Sequence, residues 1–132
     1  MDKNSILKFT LYFIGIVQIV LGLTFLLTPT MYPKMVNLAK APDWVSWILI
    51  FTSARMIGFG VAMFIAAQDP IKHKLWIQIM IGLQALDWTG TVFYIVLGAV
   101  TLVQVSTASF LPLIFIGLLL YSYPRSKSVS MT

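Results

Sequence analysis

The stretch 44-WVSWILIFTSARMIGFGVAMFIAAQDPIKHKLWIQIMIGLQALDWTGTVFYIVL-97 decides the fold. It is two apolar runs joined at Gln68-Asp69-Pro70, and about 20 apolar residues are enough to cross a bilayer as a helix. Each run carries one charge near its middle, Arg55 in the first and Asp87 in the second. Counted along the chain, Arg55 precedes Ile71 by the same distance as Asp87 follows it. Because helical rise per residue is constant, an antiparallel pair of helices brings both to the same depth. A charge at the centre of a spanning helix costs about 2.5 to 3.5 kcal/mol on insertion scales, so it needs a partner or a function. The expectation is that Arg55 and Asp87 contact each other and lock their helices in register.

The whole chain agrees with a membrane setting. It has 132 residues, 59% hydrophobic and 10% charged, with a mean hydropathy of +0.92, whereas soluble domains carry about 25% charge. A single transmembrane domain over 1–132 accommodates it. Cysteine and glutamate are absent and His73 is the lone histidine. That inventory excludes disulfides, thiolate chemistry, a His-carboxylate metal centre and a Ser-His-Asp triad. No catalytic residue, metal or cofactor is expected. The net charge of +5 does not indicate nucleic acid, because the basic residues are scattered among short connections with no common face. Membrane orientation explains them better. Lys3, Lys8, Lys72, Lys74, Arg125 and Lys127 fall on one side, and Lys34 and Lys40 on the other. The positive-inside rule then puts both termini in the cytoplasm.

Working outward, the first span covers 9–28. It is too long for a signal-peptide core and no small-residue cleavage site follows it. Gly15, Gln18, Gly22 and Pro29 share one helix face. Small residues there admit another helix, and Gln18 needs a polar partner. The stripe reads as packing or as a ligand contact. In the connection, Pro33 suits a first helical position. Met35, Val36, Leu38 and Ala39 then oppose Lys34, Asn37 and Lys40, the pattern of a short interfacial helix.

The second span covers 44–67, anchored by Trp44 and Trp47. Gly58, Ala62 and Ala66 accompany Arg55 and predict a tight contact at Gly58 and Ala62, with Arg55 turned into the bundle. The third span covers 70–97, with Asp69 as N-cap and Pro70 as first residue. Lys72, His73, Lys74 and Trp76 sit at headgroup level. Met80, Gln84, Asp87, Thr91 and Tyr94 line one face, as a buried polar network or a cavity wall. Trp88 lies at mid-depth, where its indole N–H needs an acceptor. The fourth span covers 103–123. Ser106, Thr107 or Ser109 caps it, Pro112 falls in its early turns, and Pro124 ends it. A mobile polar tail over 125–132 is expected.

The first helix ending in Leu26-Leu27-Thr28-Pro29, the segment Ser53-Ala54-Arg55-Met56-Ile57-Gly58 and the acidic Asp87 resemble the DoxX-like superfamily of small four-helix bacterial membrane proteins. The resemblance implies an all-α four-helix bundle in the bacterial cytoplasmic membrane. Some members of that superfamily are small subunits of quinone-linked oxidoreductases, so it also implies a partner subunit, without a catalytic residue to carry over. Small multidrug transporters share the length, but they rest on an acidic residue in the first helix, where this chain has Gln18.

Three functions fit these residues. One is a non-catalytic binding or accessory module for a lipid, a membrane protein partner or a second copy of the chain. Another is an enzyme or oxidoreductase subunit for a quinone or isoprenoid. Asp87 would then exchange protons, with Arg55, Gln84, Trp88 and Tyr94 around the headgroup. The last is a proton-coupled transporter. The module leads, because an adjacent arginine fixes the charge of Asp87. A vacant polar cavity beside Asp87 would favour the others.

Overall fold

The computed structural model describes residues 2–124 and is all-helical over them. The elements are α1 (Lys3–Leu27), α2 (Met31–Met35), α3 (Trp44–Gln68), α4 (Lys74–Val96) and α5 (Ser106–Tyr121). Three of them, α1, α3 and α4, are long and apolar enough to cross a membrane. The 16 residues of α5 reach about 24 Å, short of a hydrocarbon core of about 30 Å. Large apolar side chains such as Ile16, Val20, Leu86 and Val96 face outward, as they do in a protein solvated by lipid. The tail expected to be mobile, 125–132, lies outside the described residues.

The helices form two antiparallel pairs. The closest packing is between α1 and α3, and α4 packs mainly on α5. Gly15 faces Gly60 and Gly22 faces Ser53. A Cβ placed on Gly15 would lie 2.9 Å from the Gly60 carbonyl oxygen, and one on Gly22 3.1 Å from that of Ser53. Small residues let backbones approach in lipid, where dispersion contacts rather than water drive association. This corrects the expected contact at Gly58, which meets nothing within 4 Å. The seam on α3 uses Ser53, Gly60 and Ala67, which recur every second turn of the helix. Ala62 and Ala66 are buried beside it.

Several boundaries differ from expectation. The third long helix begins at Lys74 rather than Pro70. The Asp69 carboxylate accepts the Lys72 amide at 3.2 Å and its carbonyl that of His73 at 3.2 Å, so Asp69 caps a separate turn ahead of α4. In the first connection the helix is five residues long and starts before Pro33. Asn37 stops it by taking φ 58°. Its amide bonds to Lys34 and that of Leu38 to Pro33, which is a Schellman ending. None of Ser106, Thr107 or Ser109 caps α5. Instead Thr101 and Gln104 cap each other: the Thr101 amide donates to Gln104 Oε1 at 3.0 Å, and the Gln104 amide to Thr101 Oγ1 at 3.2 Å. The signature is a capping box one turn ahead of the helix.

The packed core fills one half of the bundle. Leu7, Leu11 and Ile14 of α1 meet Met63 and Ala66 of α3, with Ile77, Met80, Phe115 and Leu119 closing the cluster. All of these lie toward the 69–73 turn. The half toward α2 is hollow.

Candidate functional site

Arg55 and Asp87 stand where the packed half gives way to the hollow one. Arg55 is as far from Gln68, the last residue of α3, as Asp87 is from Lys74, the first of α4, so the matched depth holds. Contact does not: no ion pair forms between them, or anywhere among the described residues. The reason is the choice of partners. The glycine seam draws α3 onto α1, while α4 lies on α5, and α3 and α4 touch far less. Arg55 is two positions from buried Ser53, about 200° round the helix, and therefore points away from the α1 seam. It is exposed rather than turned into the packed bundle, and Asp87 is exposed too.

Both nevertheless line one cleft between α3 and α4, of about 370 Å³. Gln18 of α1 and Gln84 of α4 form its floor, with Thr52 and Met56 on the α3 wall. Gln84 is 3% exposed, and its amide nitrogen reaches only the Met80 sulfur, at 3.3 Å. Sulfur is a weak acceptor, so the amide keeps capacity for a ligand. Among the described residues the side chains of Gln18, Arg55 and Asp87 have no hydrogen-bond partner, and no polar side-chain atom is sealed from the cavities without one.

Gln18, Gln84 and Asp87 also border an inner chamber of about 270 Å³. Val17, Leu21, Leu111 and Phe115 make most of its wall apolar. Pro112 and Ala108 of α5 line it as well. A proline inside the helix offers no amide hydrogen to the carbonyl one turn back, here that of Ala108. Above the chamber, Tyr32 of α2 donates to the Gln104 carbonyl at 3.2 Å, and Gln104 Nε2 donates to the Asn37 carbonyl at 3.2 Å. These bonds tie α2 to the α4–α5 connection over the hollow half.

A third cavity, about 380 Å³, runs from Asp87 past Thr91 and Tyr94 to Val100 and Val105. Asp87 thus borders all three spaces. Of the polar residues expected at the site, Gln18, Arg55, Gln84, Asp87, Thr91 and Tyr94 line these spaces. Trp88 lines none of them and finds no acceptor among the described residues. Sequence reasoning missed Thr52, Tyr32 and the α5 wall. Pro112, which cannot donate to the Ala108 carbonyl one turn back, was the available signal for the α5 wall.

Compared with protein-family models, curated proteins and solved structures, the chain matches none.

Proposed function

We propose that the protein is a membrane-embedded binding module for an amphipathic small molecule, seated with its polar head between Arg55 and Asp87 and its apolar part in the inner chamber. The observation that carries this reading is that two opposite charges line one cleft without pairing. Left so in a bilayer, each costs about 2.5 to 3.5 kcal/mol, and a ligand between them offsets both. The chain is read as four spans, with α5 completed by the turns at its ends, both termini cytoplasmic, and α2 at the opposite membrane surface. The resemblance to DoxX-like proteins and the six-to-two bias of basic residues support that arrangement.

A photoreactive diazirine amphiphile in vesicles tests the reading. Crosslinks are expected at Met56, Leu111 or Phe115 and should fall when unlabelled lipid extract competes. Labelling confined to outward residues such as Ile16 and Val20 would sink it.

A second reading has its own support in the open cavity beside Asp87. There the module is a subunit of an oxidoreductase, its ligand is a quinone or isoprenoid, and Asp87 exchanges a proton with the head. A soluble short-chain quinone should then quench Trp76, which meets the cleft residue Phe59 edge to face with ring centroids 6.1 Å apart. Unchanged emission would count against this reading.

A further inference from the structure

We infer, building on the binding reading above, that the headgroup the cleft accepts is phosphoethanolamine carried on a single apolar chain. The phosphate lies against Arg55 and the primary ammonium against Asp87. Four features of the site point there.

The first is charge. A cation and an anion, unpaired and at one depth, border the same cavity. An anionic ligand would satisfy Arg55 and leave Asp87 facing a like charge; a cationic ligand would do the reverse. Only a head carrying both signs satisfies both in a medium of low dielectric.

Hydrogen-bond chemistry narrows the class. The guanidinium has five donors in a planar fork that matches phosphate oxygens in a bidentate way. Ionised carboxylate accepts only, and a primary ammonium offers it three hydrogens. A quaternary ammonium offers none. The amides of Gln18 and Gln84 donate and accept, and can hold the ester and hydroxyl groups of a glycerol linker.

The third feature is the tail. The chamber shares Gln18, Gln84 and Asp87 with the cleft and has apolar walls. Its volume of about 270 Å³ is at the small end of ligand pockets, which suits part of one chain rather than two. A chain in the chamber also separates a lipid from a free zwitterion, which would leave that space unfilled.

Access is the fourth. The groove from Asp87 past Thr91 and Tyr94 to Val105 follows α4 from mid-depth to its C-terminal end. Its hydroxyls give a charged head polar contacts on the way down.

The test uses the full chain in detergent and lysophosphatidylethanolamine, lysophosphatidylglycerol and lysophosphatidylcholine of one acyl chain, with binding read by native mass spectrometry. Wild-type protein should bind the ethanolamine lipid about tenfold more tightly than the glycerol lipid, the worth of one charge-assisted hydrogen bond, with the choline lipid between. Asp87→Asn should erase that preference, Asp87→Glu should keep it, and Arg55→Gln should weaken all three. Lys40→Ala, away from the cleft, should change none. Equal wild-type affinity for the ethanolamine and glycerol lipids overturns the inference, as does a preference that survives in Asp87→Asn. If a variant does not fold, the wild-type series alone decides. Saturable binding of neutral monooleoylglycerol with none of the three phospholipids overturns the headgroup and leaves the binding reading intact. Binding of none of the four overturns both.

Discussion

Replacing Gly60 by alanine would put a methyl group 2.6 Å from Ile19 Cγ1 and 2.9 Å from the Gly15 carbonyl oxygen. The second neighbour is backbone and cannot swing aside. Gly60→Ala should therefore lower thermal stability in detergent by about 1 to 3 kcal/mol, the usual cost of overpacking. Gly58→Ala meets open space and trades glycine for a better helix former, so it should be neutral or stabilising by up to about 1 kcal/mol. Equal losses at the two positions would refute the seam. Both series of small residues on α3 are visible in the sequence, Gly58/Ala62/Ala66 at spacing four and Ser53/Gly60/Ala67 at spacing seven. The step from Gly15 to Gly22 on α1 matches the second. Only the actual partner helix selects between them, which is why the seam was not legible from α3 alone. The charged residues follow the same logic. Because Arg55 and Asp87 do not touch, Arg55→Gln and Asp87→Asn should each leave the melting temperature unchanged or raise it, since each removes a charge without a counter-ion. A clear drop in both, recovered in the double variant, would restore the direct pair.

Helix ends carry the element-scale behaviour. At the start of α1, Asp2 accepts the Ser5 amide at 2.7 Å, and this hydrogen bond holds its carboxyl below the ordinary value. A depressed carboxyl stabilises the fold above the ordinary carboxylate range and loses that contribution as pH falls through the lowered value. The protection of first-turn α1 amides, measured relative to their intrinsic exchange rates, should fall on acidification below about pH 4, and Asp2→Ala should show the reduced protection already at neutral pH. Gln104 joins three segments. Gln104→Ala removes the reciprocal box with Thr101 and the bond to Asn37, and should cost about 1 to 2 kcal/mol by the same melting assay. The long helices were legible because hydropathy alone specifies them. Their ends were less so. Asn37 in the left-handed region and Thr101 capping a turn ahead of α5 are decided by local hydrogen bonds that competing Ser, Thr and Pro residues in the same stretch disguise.

At the scale of the molecule, the bundle is packed toward the 69–73 turn and hollow toward α2. Nothing in residue type marks that division, because Leu21, Phe25 and Leu111 around the chamber are as apolar as Leu7 and Ile14 in the core. What opens the hollow half is partner choice: α3 leans to α1 and α4 to α5, and the depth match of Arg55 and Asp87 survives while their contact does not. Single cysteines at Ser5, Asn37 and His73 should show position 37 alone reachable by an impermeant thiol reagent in intact cells. Labelling at 5 with none at 37 would invert the orientation. The pairing of α1 with α3 also sets a schedule. Gly60 is made well after Gly15, and at about 5 to 20 residues per second the ribosome needs about 2 to 9 seconds to supply it. Throughout that interval the glycine face of α1 waits in the bilayer without its mate, open to the same face of another nascent chain. Slowing translation between codons 30 and 50 should raise the yield of misassembled dimers, and Gly15→Ala should suppress them.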